Sequence, residues 1–335
     1  MFGRLFMKDG FDASMENYLS GVPAGTFEIS KRNPPDFIFE KLTAKTSGRG
    51  RIEIFSLFPG IELSVHRYNA EEVSFHHDEK ASVLEINHCR RGRIGWNMRG
   101  GASVYLGEGD LCVHSMASCS DSKMVMPLGY YEGISVSADL KKLSSEPTEI
   151  LKEAGFDAEK LYNKFCAGQK PLGIPSGSQT EAIFSPLYDL PDDLKMPYYR
   201  LKAQEILLYL IRFEPSSETG LTQYVSRQTE LIKEIRDFLT DNVEKRFTID
   251  EISKKFLINT STLKSVFKAV YGTPIASYMK EYRLSLSMRL LRATGDSIAE
   301  IAEKVGYETQ SKFTGAFKEK TGVTPSEYRR FYKKS

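Results

Sequence analysis

Between residues 51 and 138 the hydrophobic and polar positions alternate in short runs, the pattern of β-strands with two chemically different faces. Arg51–Phe58 and Ile61–Tyr68 flank Pro59-Gly60, a turn dipeptide. Further strands are expected at Ala81–His88, Arg93–Met98, Ala102–Leu106, Asp110–His114 and Gly133–Ala138, with turns at Arg91-Gly92 and Gly107-Glu-Gly-Asp110. Many short strands at this spacing indicate a sandwich or barrel. From about Ser144 the apolar period lengthens to that of helices, over Leu151–Gly155, Asp157–Cys166, Gln179–Tyr188 and Pro197–Phe213. In the last of these Leu201, Leu207, Leu208, Leu210 and Ile211 are expected to form one apolar face.

After residue 226 the pattern is almost wholly helical. Glu230–Asn242 carries Leu231, Ile232, Ile235, Phe238 and Leu239 on one side. A short helix follows, Ile249–Phe256, opened by Thr248 or Asp250. The next runs from Thr262 to about Tyr271, with Asn259, Thr260 or Ser261 as its cap and Gly272 closing it. Pro274 starts a long helix to about Ala293. Gly295-Asp-Ser297 then caps Ile298–Val305, Gly306 turns the chain, and Thr309–Lys320 ends at Gly322.

Length and charge change this picture. The chain has 335 residues, long for one domain and suited to two. At 41% hydrophobic and 27% charged its composition is globular. The longest aliphatic and aromatic run, Ile206–Ile211, is far shorter than the ~20 residues of a membrane helix. The N-terminal residues lack the apolar core of a signal peptide, and no C-x-x-C pair occurs, so a reducing cytosol is the expected setting. The formal charge of +2 looks unsuited to nucleic acid, but it is a sum of unlike parts. Residues 226–335 hold 21 Lys+Arg and 14 Asp+Glu, a net of +7, leaving −5 on the rest. The polar stretch 214–226, with Pro215 and Gly220, is expected to be a linker between a domain over 1–213 and another over 227–335.

The cationic part contains one motif twice. Ile252-Ser-Lys-Lys-Phe through Phe267-Lys268 matches Ile301-Ala-Glu-Lys-Val through Phe317-Lys318 about 49 residues on. Each copy has a small residue (Ser253, Ala302), a turn, an apolar anchor (Leu263, Phe313) and a Phe-Lys pair, read here as equally spaced. A small residue lets two helices cross closely, and the anchors bury one side of the second helix while its other side projects outward. With Arg283–Leu291, Ser297–Tyr307 and the ending Gly322-Val-Thr-Pro-Ser-Glu-Tyr-Arg329, this segment resembles the AraC/XylS family of bacterial transcription regulators.

The resemblance implies a fold and a function. The fold class is α+β in two domains: an N-terminal cupin-like β-barrel with trailing helices, then an all-α domain with two helix-turn-helix units. The implied function is a sequence-specific transcription regulator, an activator, that binds promoter DNA and answers a small-molecule effector held in the barrel. It implies no enzymatic activity. Two recognition helices would enter successive major grooves about 34 Å apart. The expected DNA-binding residues are Ser261, Thr262, Lys264, Ser265 and Lys268 on the first, and Thr309, Gln310, Ser311, Lys312, Thr314 and Lys318 on the second. Gln310 has the geometry to bond adenine, and lysines to reach guanine or phosphate. Ser261 and Thr309 at the helix starts suit phosphate. Lys268 and Lys318 are expected on phosphate rather than bases. Family members often carry arginine where Ser265 and Gly315 stand, glycine where Leu257 stands, and alanine where Ser287 stands.

The first domain is expected to sense. Leu106–Leu111 resembles the Gly-Asp turn of cupins, and a barrel mouth is a natural pocket. Candidate effector-binding residues are Trp96, His76, His114, Tyr130 and Tyr131. The helix at 197–213 resembles a dimerising element, implying a homodimer, and RNA polymerase is a further implied partner; no membrane and no cofactor are expected. A competing reading is a cupin-type metalloprotein, or a metal or redox sensor, fused to a DNA-binding domain. It draws on His76-His77, Asp78, Glu79 and His114, and on Cys89, Cys112 and Cys119. Adjacent histidines on a regular strand face opposite ways, so no metal site is expected there. His66 and His88 are expected at strand ends, and the cysteines as inert buried thiols.

Overall fold

The computed structural model describes residues 9–32, 38, 43–76, 82–97, 102–118, 123–167, 171–215 and 224–332. These divide into two compact units that meet in sequence between Val225 and Ser226.

The first unit begins with α1 (Asp9–Tyr18) and β1 (Thr26–Arg32), then β2 (Thr43–Lys45), β3 (Arg49–Phe58), β4 (Ile61–Asn69), β5 (Glu72–His76), β6 (Val83–Gly92), β7 (Ile94–Asn97), β8 (Ala102–Leu106), β9 (Leu111–Ser115), β10 (Lys123–Val125) and β11 (Tyr131–Asp139). Helices α2 (Leu140–Ser145), α3 (Glu149–Glu153) and α4 (Ala158–Phe165) follow, then β12 (Leu172–Ile174), α5 (Ser178–Phe184), α6 (Asp192–Arg212) and β13 (Tyr224–Val225). Among the described residues the strands form two sheets, in the orders β1-β3-β4-β11-β6-β9-β12 and β13-β8-β7-β10-β5-β2. Strand β1 joins β3 in parallel, and the other pairings are antiparallel.

Alternation along the strands of the first sheet sorts their side chains into two layers. Leu63 and Val65 of β4, Leu84 and Ile86 of β6, and Ile134 and Val136 of β11 turn to one side and pack with Leu161, Phe184, Tyr199, Ile206, Leu207 and Leu210 of the helices. The other side faces the second sheet and carries Ile52, Ile54, Tyr68, Cys89, Cys112 and Tyr131 against Val73, Phe75, Ile94, Trp96, Val104 and Leu106. Both faces are therefore covered, which is why β4, β9 and β11 are buried along nearly their whole length.

Several sequence expectations are corrected. His66 lies inside β4 and His88 inside β6, so neither is at a strand end. Arg91-Gly92 belongs to β6, whose pairing with β11 is irregular between Glu132 and Gly133, and the strand continues through the expected turn. The helix expected at 197–213 starts at Asp192, with Pro191 as its cap and Pro197 within it. Asp192 and Asp193 put negative charge at the positive end of its dipole and favour the earlier start. Its buried face is Tyr199, Ala203, Ile206, Leu207 and Leu210, while Leu201 is 56% exposed. Leu201 sits two residues from Tyr199, about 200° around a helix, and so points away. The expected turn at Gly107–Asp110 is present, with the Asp110 carboxylate accepting the Gly107 N–H at 3.0 Å.

The second unit is helical: α7 (Ser226–Asp241), α8 (Ile249–Lys255), α9 (Thr260–Tyr271), α10 (Ile275–Ala293), α11 (Ile298–Lys304), α12 (Gln310–Thr321) and α13 (Pro325–Tyr332). Local chemistry explains its boundaries. Thr248 with Glu251 and Ser297 with Glu300 form reciprocal capping boxes. Thr324 and Glu327 bond in the same way ahead of α13. Gly272 and Gly322 close α9 and α12 in the left-handed conformation. No helix among the described residues is long and apolar enough to cross a membrane.

Candidate functional site

The two repeated motifs become α8–turn–α9 and α11–turn–α12. Ser253 and Ala302 are 49 positions apart, but Phe267 and Phe317 are 50. The expected equal spacing is thus corrected by one residue, because the second turn, Val305–Thr309, is longer than the first, Phe256–Asn259. Both first helices end alike. The Ile258 N–H bonds the Ser253 carbonyl at 3.1 Å, and the Tyr307 N–H bonds the Ala302 carbonyl at 2.9 Å. The residue between must be left-handed, and it is Leu257 (φ 52°) in one turn and Gly306 (φ 79°) in the other.

Helix α9 buries Leu263, Val266, Phe267, Val270 and Tyr271, a stripe at helical spacing. Ser261, Lys264, Ser265 and Lys268 are left exposed, with Thr262 half-buried. Helix α12 buries Phe313 and Phe317, and Phe317 also meets Tyr328 edge-on at 5.4 Å. Thr309, Gln310, Ser311, Lys312 and Lys318 are exposed, with Thr314 half-buried. Each unit therefore brings its predicted residues together on one polar face.

Their hydrogen bonds separate them further. Asn259 caps α9, accepting the Thr262 N–H at 2.7 Å, and the Ser261 hydroxyl donates to the same Asn259 oxygen at 2.8 Å. Thr309 caps α12 by accepting the Lys312 N–H at 3.2 Å. The Ser265 hydroxyl donates back to the Thr262 carbonyl at 3.2 Å. Lys312 is paired with Glu308, whose carboxyl it holds below the usual range. Lys264, Lys268 and Lys318 form no salt bridge among the described residues and present open charge.

One residue of the long helix between the two motifs has a structural role that its sequence did not announce. Arg283 on α10 donates to the Val243 carbonyl at 3.0 Å and to the Lys245 carbonyl at 2.8 Å, and Arg246 donates to the Gly306 carbonyl at 3.3 Å. These bonds hold the loop after α7 between the long helix and the second turn. Backbone acceptors leave no trace in residue types, so only the fold reveals this clamp.

In the first unit the two sheets enclose a cavity of about 60 Å³. Trp96, His114 and Tyr131 line it; His76 and Tyr130 do not. His76 follows Phe75 on β5, so alternation turns it to the exposed side. His77, Asp78, Glu79 and Cys119 lie outside the described residues. Lining residues that sequence reasoning passed over include Ser64, His66, Glu85, Asn87 and Ser135. They are polar residues on strands covered on both sides, a signal that only burial makes visible.

The cavity wall is a hydrogen-bonded network. The Ser135 hydroxyl donates to Asn87 at 2.5 Å, and Asn87 bonds His114 Nε2 at 3.0 Å. His114 Nδ1 bonds the Ser115 carbonyl at 3.0 Å, which makes Nδ1 the protonated nitrogen and Nε2 the acceptor. His66 bonds Ser64 at 2.7 Å and the Tyr68 hydroxyl, and burial pulls its pKa down to about 3. His88 faces the helices instead. It stacks on Phe184 at 4.5 Å and bonds Tyr188 at 2.8 Å, and burial, aided by Arg90, lowers its pKa to about 4. Burial raises the Cys89 and Cys112 thiols, and lifts Cys166 to about 12. Among the described residues no three His, Cys, Asp or Glu side chains group as metal ligands.

The comparisons agree with the helical unit. A family model described as a helix-turn-helix domain matches residues 252–330. The Transposon Tn10 TetD protein of Escherichia coli is 32% identical over 121 residues, covering 36% of this chain and 88% of TetD. The HTH-type transcriptional activator RhaR of Mannheimia succiniciproducens is 32% identical over 97 residues, 29% of this chain and 35% of RhaR, so this match spans about a third of that relative's length. Among solved structures, the C-terminal domain of AraT, a response regulator from Geobacillus stearothermophilus, is 29% identical. It covers 32% of this chain and 88% of that one at a TM-score of 0.30. With the repeated motif, its caps and its buried aromatic anchors, the family model and the TetD match establish that the chain belongs to the AraC family of helix-turn-helix transcription regulators.

Proposed function

We propose that this protein is a sequence-specific regulator of transcription, an activator, that binds promoter DNA as a homodimer in the bacterial cytoplasm and is controlled by a small molecule in the barrel cavity. RNA polymerase is its proposed partner in activation. The proposed division is a sensor over 1–213, a linker over 214–226 and a DNA-binding domain over 227–335. The observation that carries this reading is the pair of second helices, α9 and α12, each anchored by buried aromatics and each offering an uncovered polar face. Gln310, Lys264 and Lys312 are assigned to base edges, and Lys268 and Lys318 to phosphate. Lys312 must first leave Glu308, an exposed pair that costs little to break. Binding to the promoter region of the protein's own gene tests the reading. Lys264→Ala and Gln310→Ala should weaken specific sites by about 1–3 kcal/mol more than random DNA. Lys318→Ala should weaken both alike and flatten the salt dependence. Equal losses on both DNAs for Lys264→Ala and Gln310→Ala would rule out base reading by these two residues.

A further inference from the structure

We infer that the barrel cavity takes a compact organic cation, a protonated amine whose charge meets Glu85 and whose apolar body lies among the aromatic and aliphatic walls. This rests on the reading of the cavity as the effector site and names the chemistry of the effector.

Glu85 lines the cavity at 8% exposure, and its carboxylate accepts the Ser137 hydroxyl at 2.9 Å. It forms no salt bridge among the described residues, and the lining contains no lysine or arginine. A buried carboxylate held by one neutral donor is costly, and a cation beside it offsets that cost. The rest of the wall favours the same sign of charge. Tyr68, Phe75, Trp96 and Tyr131 all line the cavity, with ring centroids 5.5 Å apart for Tyr68 and Tyr131 and 6.1 Å for Tyr68 and Phe75. Aromatic faces attract cations.

The histidines do not reverse this. His66 is neutral with both nitrogens bonded, and His114 accepts on Nε2 and donates from Nδ1 to a carbonyl. An anion entering the cavity would meet a carboxylate and no positive group. A purely apolar ligand would leave Glu85 as it stands. Size adds a limit: about 60 Å³ is well below the ~150 Å³ that holds a benzene ring, so the ligand is compact or moves the flexible Met124 side chain in the wall.

Trp96 is the chain's sole tryptophan, so its fluorescence reports what enters. The full-length protein is titrated with propylammonium, 1-propanol and propionate, which share size and differ in charge. Propylammonium should shift the emission saturably and bind at least tenfold more tightly than the other two. Glu85→Gln, which keeps an oxygen for Ser137, should weaken it at least tenfold. The inference is overturned by equal or tighter binding of 1-propanol or propionate, by unchanged propylammonium affinity in Glu85→Gln, or by no saturable response to propylammonium. The ligand series on the unaltered protein decides the matter even where the variant fails to fold. DNA band shifts, read separately, judge the regulator; their failure alongside amine binding would remove that reading and leave this one standing.

Discussion

Leu257 and Gly306 occupy the same place in the two helix-turn-helix units, and exchanging their characters should have opposite effects. Leu257 has φ 52° and is 94% exposed. A left-handed conformation costs a side-chain-bearing residue about 1–2 kcal/mol, and the exposed leucine recovers almost nothing by burial. Leu257→Gly removes that strain and adds about 0.5–1 kcal/mol of chain entropy in the unfolded state. The net is a stabilisation of about 0.5–1 kcal/mol, or a few degrees in the melting temperature of a domain near a hundred residues. Gly306→Ala imposes the same strain and adds a clash. A Cβ there would lie 2.6 Å from the Val243 carbonyl, 3.0 Å from Arg283 Nε and 3.1 Å from the Glu244 carbonyl. The first two of those groups are hydrogen-bonded to each other, so the clamp around the second turn would have to open. A loss of roughly 2–4 kcal/mol is expected. Calorimetric melting of the full chain, following the transition of the helical unit, measures both. A destabilisation by Leu257→Gly of 1 kcal/mol or more would refute the reasoning, since it would mean that the leucine makes contacts its exposure denies. So would a neutral Gly306→Ala.

Gly315 lies mid-helix on the exposed face of α12, and a Cβ there meets nothing within 4 Å. Gly315→Arg should raise helix stability by somewhat less than 1 kcal/mol and steepen the salt dependence of DNA binding by about one unit in a band-shift series. Ser287 is fully buried with its hydroxyl donated to the Leu284 carbonyl of its own helix at 2.7 Å. Ser287→Ala should therefore change urea stability by less than about 1 kcal/mol, the bond being local and its carbonyl already within the helix. His88, with a folded pKa near 4 against 6.5 unfolded, binds its proton more readily when the chain unfolds. Its stabilising contribution is present above pH 6.5 and falls away as pH drops toward 4. About 2 kcal/mol should be lost between pH 7 and pH 5, and His88→Phe should flatten that part of the stability–pH curve of the first unit.

The helical unit was legible in the sequence because its information is local. Thr248, Asn259, Ser297 and Thr309 cap helices within four residues, Gly272 and Gly322 end them, and Phe267 and Phe317 lie within one short helix of the turn they anchor. Even there the sequence left the extra residue of the second turn and the Arg283 clamp unread, since both depend on backbone positions rather than residue types.

The first unit behaves otherwise. Alternation along β3, β4, β6 and β11 determined that each strand has two faces, but not that both would be buried or what would cover them. Tertiary packing decided that. It turned the aliphatic faces to the helices and closed the polar faces under a second sheet, so that Ser64, His66, Glu85, Asn87, His114 and Ser135 line an interior rather than a surface. Those residues come from strands brought side by side by hydrogen-bond register across some seventy positions of chain, Ser64 opposite Ser135 and Ser135 opposite Asn87. Register is a property of paired strands, not of any one of them. The chain alone therefore specified two helices with polar outer faces, and only the paired sheets decided which side chains line the cavity between them.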